Sequence, residues 1–409
     1  MQTHHSHCDR RHARSCSAPD TAPMRFSLDA TDGRARAATI DLPHGTLTTP
    51  VFMPVGTQGT VKAMTNALLE DIGAQIVLGN TYHLYLRPGA DIIARAGGLH
   101  RFSAWQRPFL TDSGGYQVYS LAKLRTLNDS GVSFQSHVDG SMVEFTPEKV
   151  VAFQELLGVD IMMQLDECPP TTADRDQITA AVQRSLLWAA RSREAWRRDE
   201  CALFGIVQGG LHADLRAQSA AGLIALDLPG YALGGFSVGE DMQQSYPAIA
   251  AAAALLPPDR PRYLMGIGFP EDIVRAAGFG LDMFDCVLPT RCARNGLCFY
   301  SGGRLRIKNA CYRDDMSPID PQCTCYACRT ASRAYLRHLF LANEITACVL
   351  MTIHNLHYYL ELCRGMRAAI MAGRFREFHD GFLASPAGRA HGAAEAAGGP
   401  ACAQARRKT

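Results

Sequence analysis

The segment PFLTDSGG, residues 108–115, is an apolar run that stops at a carboxylate and then turns through a serine and two glycines. Seven other stretches share this build: VFMPVGT (51–57), QIVLGNTYH (75–83), DIMMQLDEC (160–168), ALFGIVQGG (202–210), YALGGFSVGE (231–240), RYLMGIG (262–268) and MFDCVLPTR (283–291). Each is nearly continuous in hydrophobicity, the mark of a strand buried on both faces. Stretches of helical period lie between them, at 147–157, 173–197, 215–225, 245–256 and 270–278. Eight β-then-α units predict an α/β protein built as a (β/α)8 barrel. A doubly wound open sheet is the other arrangement such a pattern allows.

A barrel places its active site where the carboxyl ends of the strands meet. The polar motifs of this chain sit at those ends. Asp112 follows the third run, Asp166 and Glu167 the fourth, Gln208 the fifth, Gly234 and Gly235 the sixth, and Asp285 the eighth, while Met265 lies in the seventh. The third connection is longer, because residues 116–146 form a polar, partly strand-like insertion. Thr146 and Pro147 close it as cap and first-turn proline of the next helix.

The chain has 409 residues, is 47% hydrophobic and carries a formal net charge of +2, so it is no global binder of polyanions. Its basic residues concentrate locally: residues 291–341 hold nine Arg and Lys against three Asp. The 14 cysteines are scattered, except Cys323, Cys325 and Cys328, a distribution that favours a reduced, cytoplasmic setting with one metal site. Three soft ligands at this spacing suit tetrahedral zinc, with the fourth position open to His354, His338 or His357. With four protein ligands the metal would be structural. The polar first 23 residues lack the apolar stretch of a signal peptide, and no run of about 18 apolar residues suggests a membrane span.

Asp112, Asp166 and Asp285 would meet at one mouth, where burial and mutual repulsion separate carboxylate pKa values. A pair of carboxylates flanking one bond is what chemistry at an anomeric carbon needs, one as nucleophile and one as acid or base. Gln208, beside Gly209 and Gly210, and the GGFSVG turn offer amide and backbone groups to a flat ligand such as a purine edge. Tyr116 and Met265 could sandwich its ring. The tetrad DSGG also surrounds the nucleophilic serine of chymotrypsin-like proteases, which makes Ser113 a rival reagent to Asp112.

The segments MPVGT, LGNTYHL, RPG, GGLH, LTDSGGYQV, DEC, GIVQGG, GGFSVGE, YLMGIG, FDCVLPTRCARNG, the cysteine cluster and MTIHN, spread over residues 24–378, resemble the bacterial tRNA-guanine transglycosylases (queuine tRNA-ribosyltransferases). The resemblance implies a (β/α)8 catalytic domain over 24–378 that includes a basic zinc-binding subdomain at 291–360. Extensions at 1–23 and 379–409 are expected to be disordered, the second mostly so. It implies exchange of guanine at the wobble position of tRNAs with GUN anticodons (Asp, Asn, His, Tyr) for the queuosine precursor preQ1, a 7-aminomethyl-7-deazaguanine, by a homodimeric enzyme. By motif, Asp285 looks like the nucleophile at ribose C1′ and Asp112 like the general acid/base. Ser113, Tyr116, Asp166, Gln208, Gly235 and Met265 would bind the base, Arg291 and Arg294 the tRNA, and Cys323, Cys325, Cys328 and His354 one zinc. Val238 looks like the preQ1-using form, whereas Phe236 and Ser237 stand where Leu-Ala or Leu-Ser is usual. Cys292 has no role by this resemblance. A glycoside hydrolase on the same fold and a catalytically silent RNA-binding subunit are the competing readings.

Overall fold

A computed structural model describes residues 24–121, 125–170, 172–236 and 242–389. The expectations for residues 1–23, for Ser237 and Val238, and for 390–409 lie outside the described residues.

The described chain opens with an antiparallel sheet of β1 (Arg25–Asp32), β2 (Ala35–Leu42) and β3 (Gly45–Thr48). The barrel begins with β4 (Val51–Pro54), β5 (Val77–Asn80) and β6 (Phe109–Asp112). The expected insertion follows as a second antiparallel sheet, β7 (Arg125–Asn128), β8 (Gly131–Gln135) and β9 (Met142–Phe145). The barrel resumes with β10 (Ile161–Met163), β11 (Ala202–Val207), β12 (Gly230–Leu233), β13 (Arg262–Leu264) and β14 (Met283–Cys286). A hairpin of β15 (Leu297–Tyr300) and β16 (Gly303–Arg306) completes the strands.

Each of the eight predicted runs contains one parallel barrel strand. They hydrogen-bond in the order β4-β14-β13-β12-β11-β10-β6-β5. A parallel bridge between Val55 and Leu78, with Gly56 N–H donating to Leu78 O at 2.7 Å, joins the last strand to the first. That closure makes the sheet a barrel and removes the open-sheet alternative.

The strand period of two divides the apolar residues between two cores. Val51 and Met53, Ile161 and Met163, and Phe204 point into the barrel, while Phe52, Met162 and Leu203 pack with the surrounding helices. The helix Pro147–Leu157 starts as expected, with the Thr146 side chain accepting from Lys149 N–H and Pro147 in the first turn. Helix Pro270–Gly278 has its expected bounds, and Arg175–Ala195, Ala213–Ile224 and Met242–Leu255 fall close to theirs. The chain stays helical beyond residue 378, through Phe375–Ala384.

The N-terminal sheet was not anticipated from sequence. Its Ile40, Leu42 and Leu47 join the inner core and plug the amino-terminal end of the barrel. A polar latch pins it there. Fully buried Asp160 accepts from His44 N–H at 2.9 Å, from the His44 ring at 3.0 Å and from Phe109 N–H at 2.9 Å, and His100 Nε2 lies 3.3 Å away. The two imidazoles are stacked with centroids 3.5 Å apart. Parallel rings aim their nitrogens side by side, which suits the two oxygens of one carboxylate better than a common metal ion.

Burial raises the Asp160 carboxyl, but bonds from His100, His44 and Phe109 N–H outweigh it and hold the group at about 2. Its stabilisation is therefore present above the ordinary carboxylate range and lost as pH falls toward 2. Urea unfolding should show Asp160→Asn destabilised by about 3 kcal/mol at neutral pH. The gap to wild type should narrow on acidification below about pH 4.

Candidate active site

The mouth of the barrel gathers the predicted carboxylates. Asp112 ends β6 directly opposite Asn80 at the end of β5. That register lets the Asn80 amide donate to one Asp112 oxygen, while Thr81 N–H donates to the other at 3.0 Å. Burial raises the Asp112 carboxyl, the charges of Asp285 and Asp166 add to the rise, and the backbone bonds from Thr81 and Gly114 oppose it, so the group sits at about 7. A carboxyl there can both give and take a proton near neutrality.

Asp285, in β14, is held through Oδ1, which accepts from Tyr263 Oη at 2.6 Å and from Gly266 N–H at 2.8 Å. Burial raises its pKa and these two bonds oppose the rise. Gly266 has φ +71°, a left-handed conformation that glycine adopts without strain and that accompanies the N–H aimed at the carboxylate.

Asp166 lies beyond β10 and is almost fully buried. Ser113 Oγ donates to its Oδ1 at 2.9 Å and Gln208 Nε2 to its Oδ2 at 2.7 Å. Burial again raises the carboxyl and the Gln208 and Ser113 bonds again oppose it. Gly235 packs so closely that a Cβ on it would stand 2.4 Å from Gln208 Oε1. Ser113, Asp166, Gln208 and Gly235 thus form one connected wall. A cavity of about 330 Å³ opens beside it, lined in part by Gly115, Val118, Cys168 and Trp188.

Tyr116 is 46% exposed in the first turn of helix Gly115–Leu121. Met265 follows β13, half-buried against the inner core. Arg291 is exposed and Arg294 half-buried on helix Leu288–Arg294, and Arg294 Nη1 has no hydrogen-bond partner among the described residues. Sequence reasoning passed over Asn80, Thr81 and Tyr263. Asn80 and Thr81 stand in the quoted LGNTYHL, but their importance lies in a cross-strand register that no local pattern displays.

Cys323, Cys325, Cys328 and His354 bring their ligand atoms within 4.8 Å of one another. Nδ1 of His354 lies 3.3 Å from Cys328 Sγ and 3.7 Å from Cys325 Sγ, and Nε2 lies 2.7 Å from Phe299 O. An Nε2–H donated to that carbonyl leaves the Nδ1 lone pair facing the thiols, the orientation a metal ligand needs. His357 touches Cys323 Sγ at 3.5 Å but stands outside the four-residue group, as does His338. The group can hold a metal ion.

A model of the queuine tRNA-ribosyltransferase family matches residues 31–387. The chain belongs to that family. It is 54% identical over 366 residues to the queuine tRNA-ribosyltransferase of Nitratidesulfovibrio vulgaris, covering 89% of this chain and 98% of the relative. It is 52% identical over 370 residues to that of Aquifex aeolicus, covering 88% and 98%. The protein is accordingly an enzyme, a transferase, and the hydrolase and silent-subunit readings fall away. No helix among the described residues is long and apolar enough to cross a membrane.

Metal analysis should find one ion per chain, and His354→Ala should lower that content well below one. Unchanged content would move the fourth ligand to His357.

Proposed function

We propose that this enzyme replaces guanine at the wobble position of GUN-anticodon tRNAs with preQ1, through a covalent Asp285–ribosyl tRNA intermediate in queuosine biosynthesis. The observation that carries the reading is the pairing, at one barrel mouth, of a carboxyl poised at about 7 with a second carboxylate anchored by one oxygen only. Family membership supports the substrate class.

Tyr263 and Gly266 both bond Asp285 Oδ1, which leaves Oδ2 to attack ribose C1′ as the bond to guanine N9 breaks and Asp112 gives its proton to the departing N9. Asp112 acts as general acid/base and takes the N9 proton of the incoming base, which then displaces Asp285 from C1′. Two displacements at one carbon retain configuration. Ser113, Asp166, Gln208 and Gly235 read the base edge, and Tyr116 and Met265 cover its faces. The base must be splayed from its loop to reach them, as single-stranded RNA allows. Arg291 and Arg294 hold anticodon phosphates.

The Cys323, Cys325, Cys328 and His354 group holds a structural zinc within the 291–360 subdomain. When bound, the ion supplies cross-linking of that subdomain and no chemistry at the ribose. The enzyme works in the cytoplasm as a homodimer. Tyr326, Tyr335, Leu341 and Ile345, each about half exposed or more, supply an apolar face for the second subunit on that subdomain. The choice of preQ1 over queuine rests on Val238.

Labelled guanine should enter unmodified tRNA, and no incorporation would sink the proposal. Asp285→Asn should lose the adduct that wild type shows on a denaturing gel, with exchange down by about a thousandfold or more. Asp112 must be protonated to release guanine and ionised to admit the incoming base, so exchange should be fastest near pH 7 and fall on either side. Asp112→Asn should be slow and lose that dependence.

A further inference from the structure

One buried cation spans both segments that form the wall of the base pocket. Arg216, on helix Ala213–Ile224, is 1% exposed. Its Nη1 donates to Val207 O at 3.0 Å and its Nε to Gly210 O at 2.8 Å, so the side chain brackets Gln208 from both directions along the chain. Its guanidinium carbon lies 3.8 Å from the centre of the Phe236 ring. Phe236 is itself buried and directly follows Gly235, whose backbone rests on the Gln208 amide.

We infer that the Arg216–Phe236 stack is a positioning device for base binding, and that Phe236 sets how firmly guanine or its 7-deaza analogue is gripped. The inference rests on the base-exchange reading above. The physical chain has four steps. The planar guanidinium fixes the Phe236 ring, the ring fixes the Gly235 backbone, that backbone abuts Gln208, and Gln208 Nε2 holds Asp166 Oδ2 at 2.7 Å. Leucine offers no π-face to a cation, so at this position the same arginine would keep its two carbonyl bonds and lose its hold on the second loop. Neither residue touches the reacting carbon. Their effect falls on the affinity for the base more than on the turnover of bound base.

Equilibrium dialysis of labelled guanine against the full-length protein tests this without requiring exchange. Phe236→Leu should weaken guanine binding about tenfold, and Phe236→Tyr, which keeps a ring, should bind like wild type. Arg216→Lys should weaken binding comparably, and the double variant Arg216→Lys/Phe236→Leu should be scarcely weaker than either single one. In the exchange assay the guanine KM should rise more than kcat falls, with the tRNA KM unmoved. Binding by Phe236→Leu within about twofold of wild type, failure of Phe236→Tyr to restore it, or additive losses in the double variant would each overturn the inference. If wild type binds guanine and the variants behave as expected while no exchange occurs, the base-exchange reading fails and the positioning role stands. A wild type that binds no guanine removes both.

Discussion

The bridge between Val55 and Leu78, with the Gly56–Leu78 hydrogen bond beside it, closes eight parallel strands into a ring, and the gathering of the polar side chains at one mouth follows from that closure. Parallel strands present all their carboxyl ends on one rim. Residues as distant in sequence as Asn80 and Asp285 therefore share a mouth. The interior cannot hold the polar groups, because the inward positions are filled by Val51, Met53, Ile161, Met163 and Phe204 and the far end is stoppered by Ile40, Leu42 and Leu47. The chemistry is left at the rim, with a packed core beneath it.

The two ends of the barrel place the same side chain in opposite surroundings. Asp160 and Asp112 are both desolvated, and desolvation alone would raise both. Asp160 is surrounded by donors, among them two imidazoles, and is held at about 2, a permanent anion that fastens the N-terminal sheet. Asp112 has two backbone N–H bonds in its favour but shares its mouth with Asp285 and Asp166, and it sits at about 7. What surrounds each carboxylate, rather than how deep it lies, keeps one ionised and leaves the other near the point where it changes protonation at neutral pH.

The barrel was legible because two-sided burial writes itself into sequence as unbroken apolar runs, and each run ended where the rim begins. The N-terminal sheet was not, since β1 is half solvated and β2 and β3 are recognisable only once Ile40, Leu42 and Leu47 are seen to plug the barrel. Asp112, Asp166 and Asp285 could be singled out from sequence because each stands at or just past the carboxyl end of an apolar run. Asn80, Tyr263 and Arg216 could not, because each matters through a partner brought to it by register or by a neighbouring loop. The same limit left three histidines open as fourth ligand, and the packing of helix Ile345–Met371 against Phe299 brought His354 into the cysteine group.

Ser113 shows how such partners decide between rival chemistries. A nucleophilic serine needs a base that accepts its proton while its oxygen faces an open site. Here the hydroxyl donates to Asp166 Oδ1 at 2.9 Å and accepts from Gly115 N–H at 3.2 Å. Asp166 is in turn fixed by Gln208 and buried beneath the turn, where a Cβ on Gly115 would lie 2.4 Å from its backbone oxygen. The serine is thus tied on both sides into a rigid wall. The glycines of DSGG serve that wall by letting the turn close over Asp166, which is a different task from presenting a nucleophile.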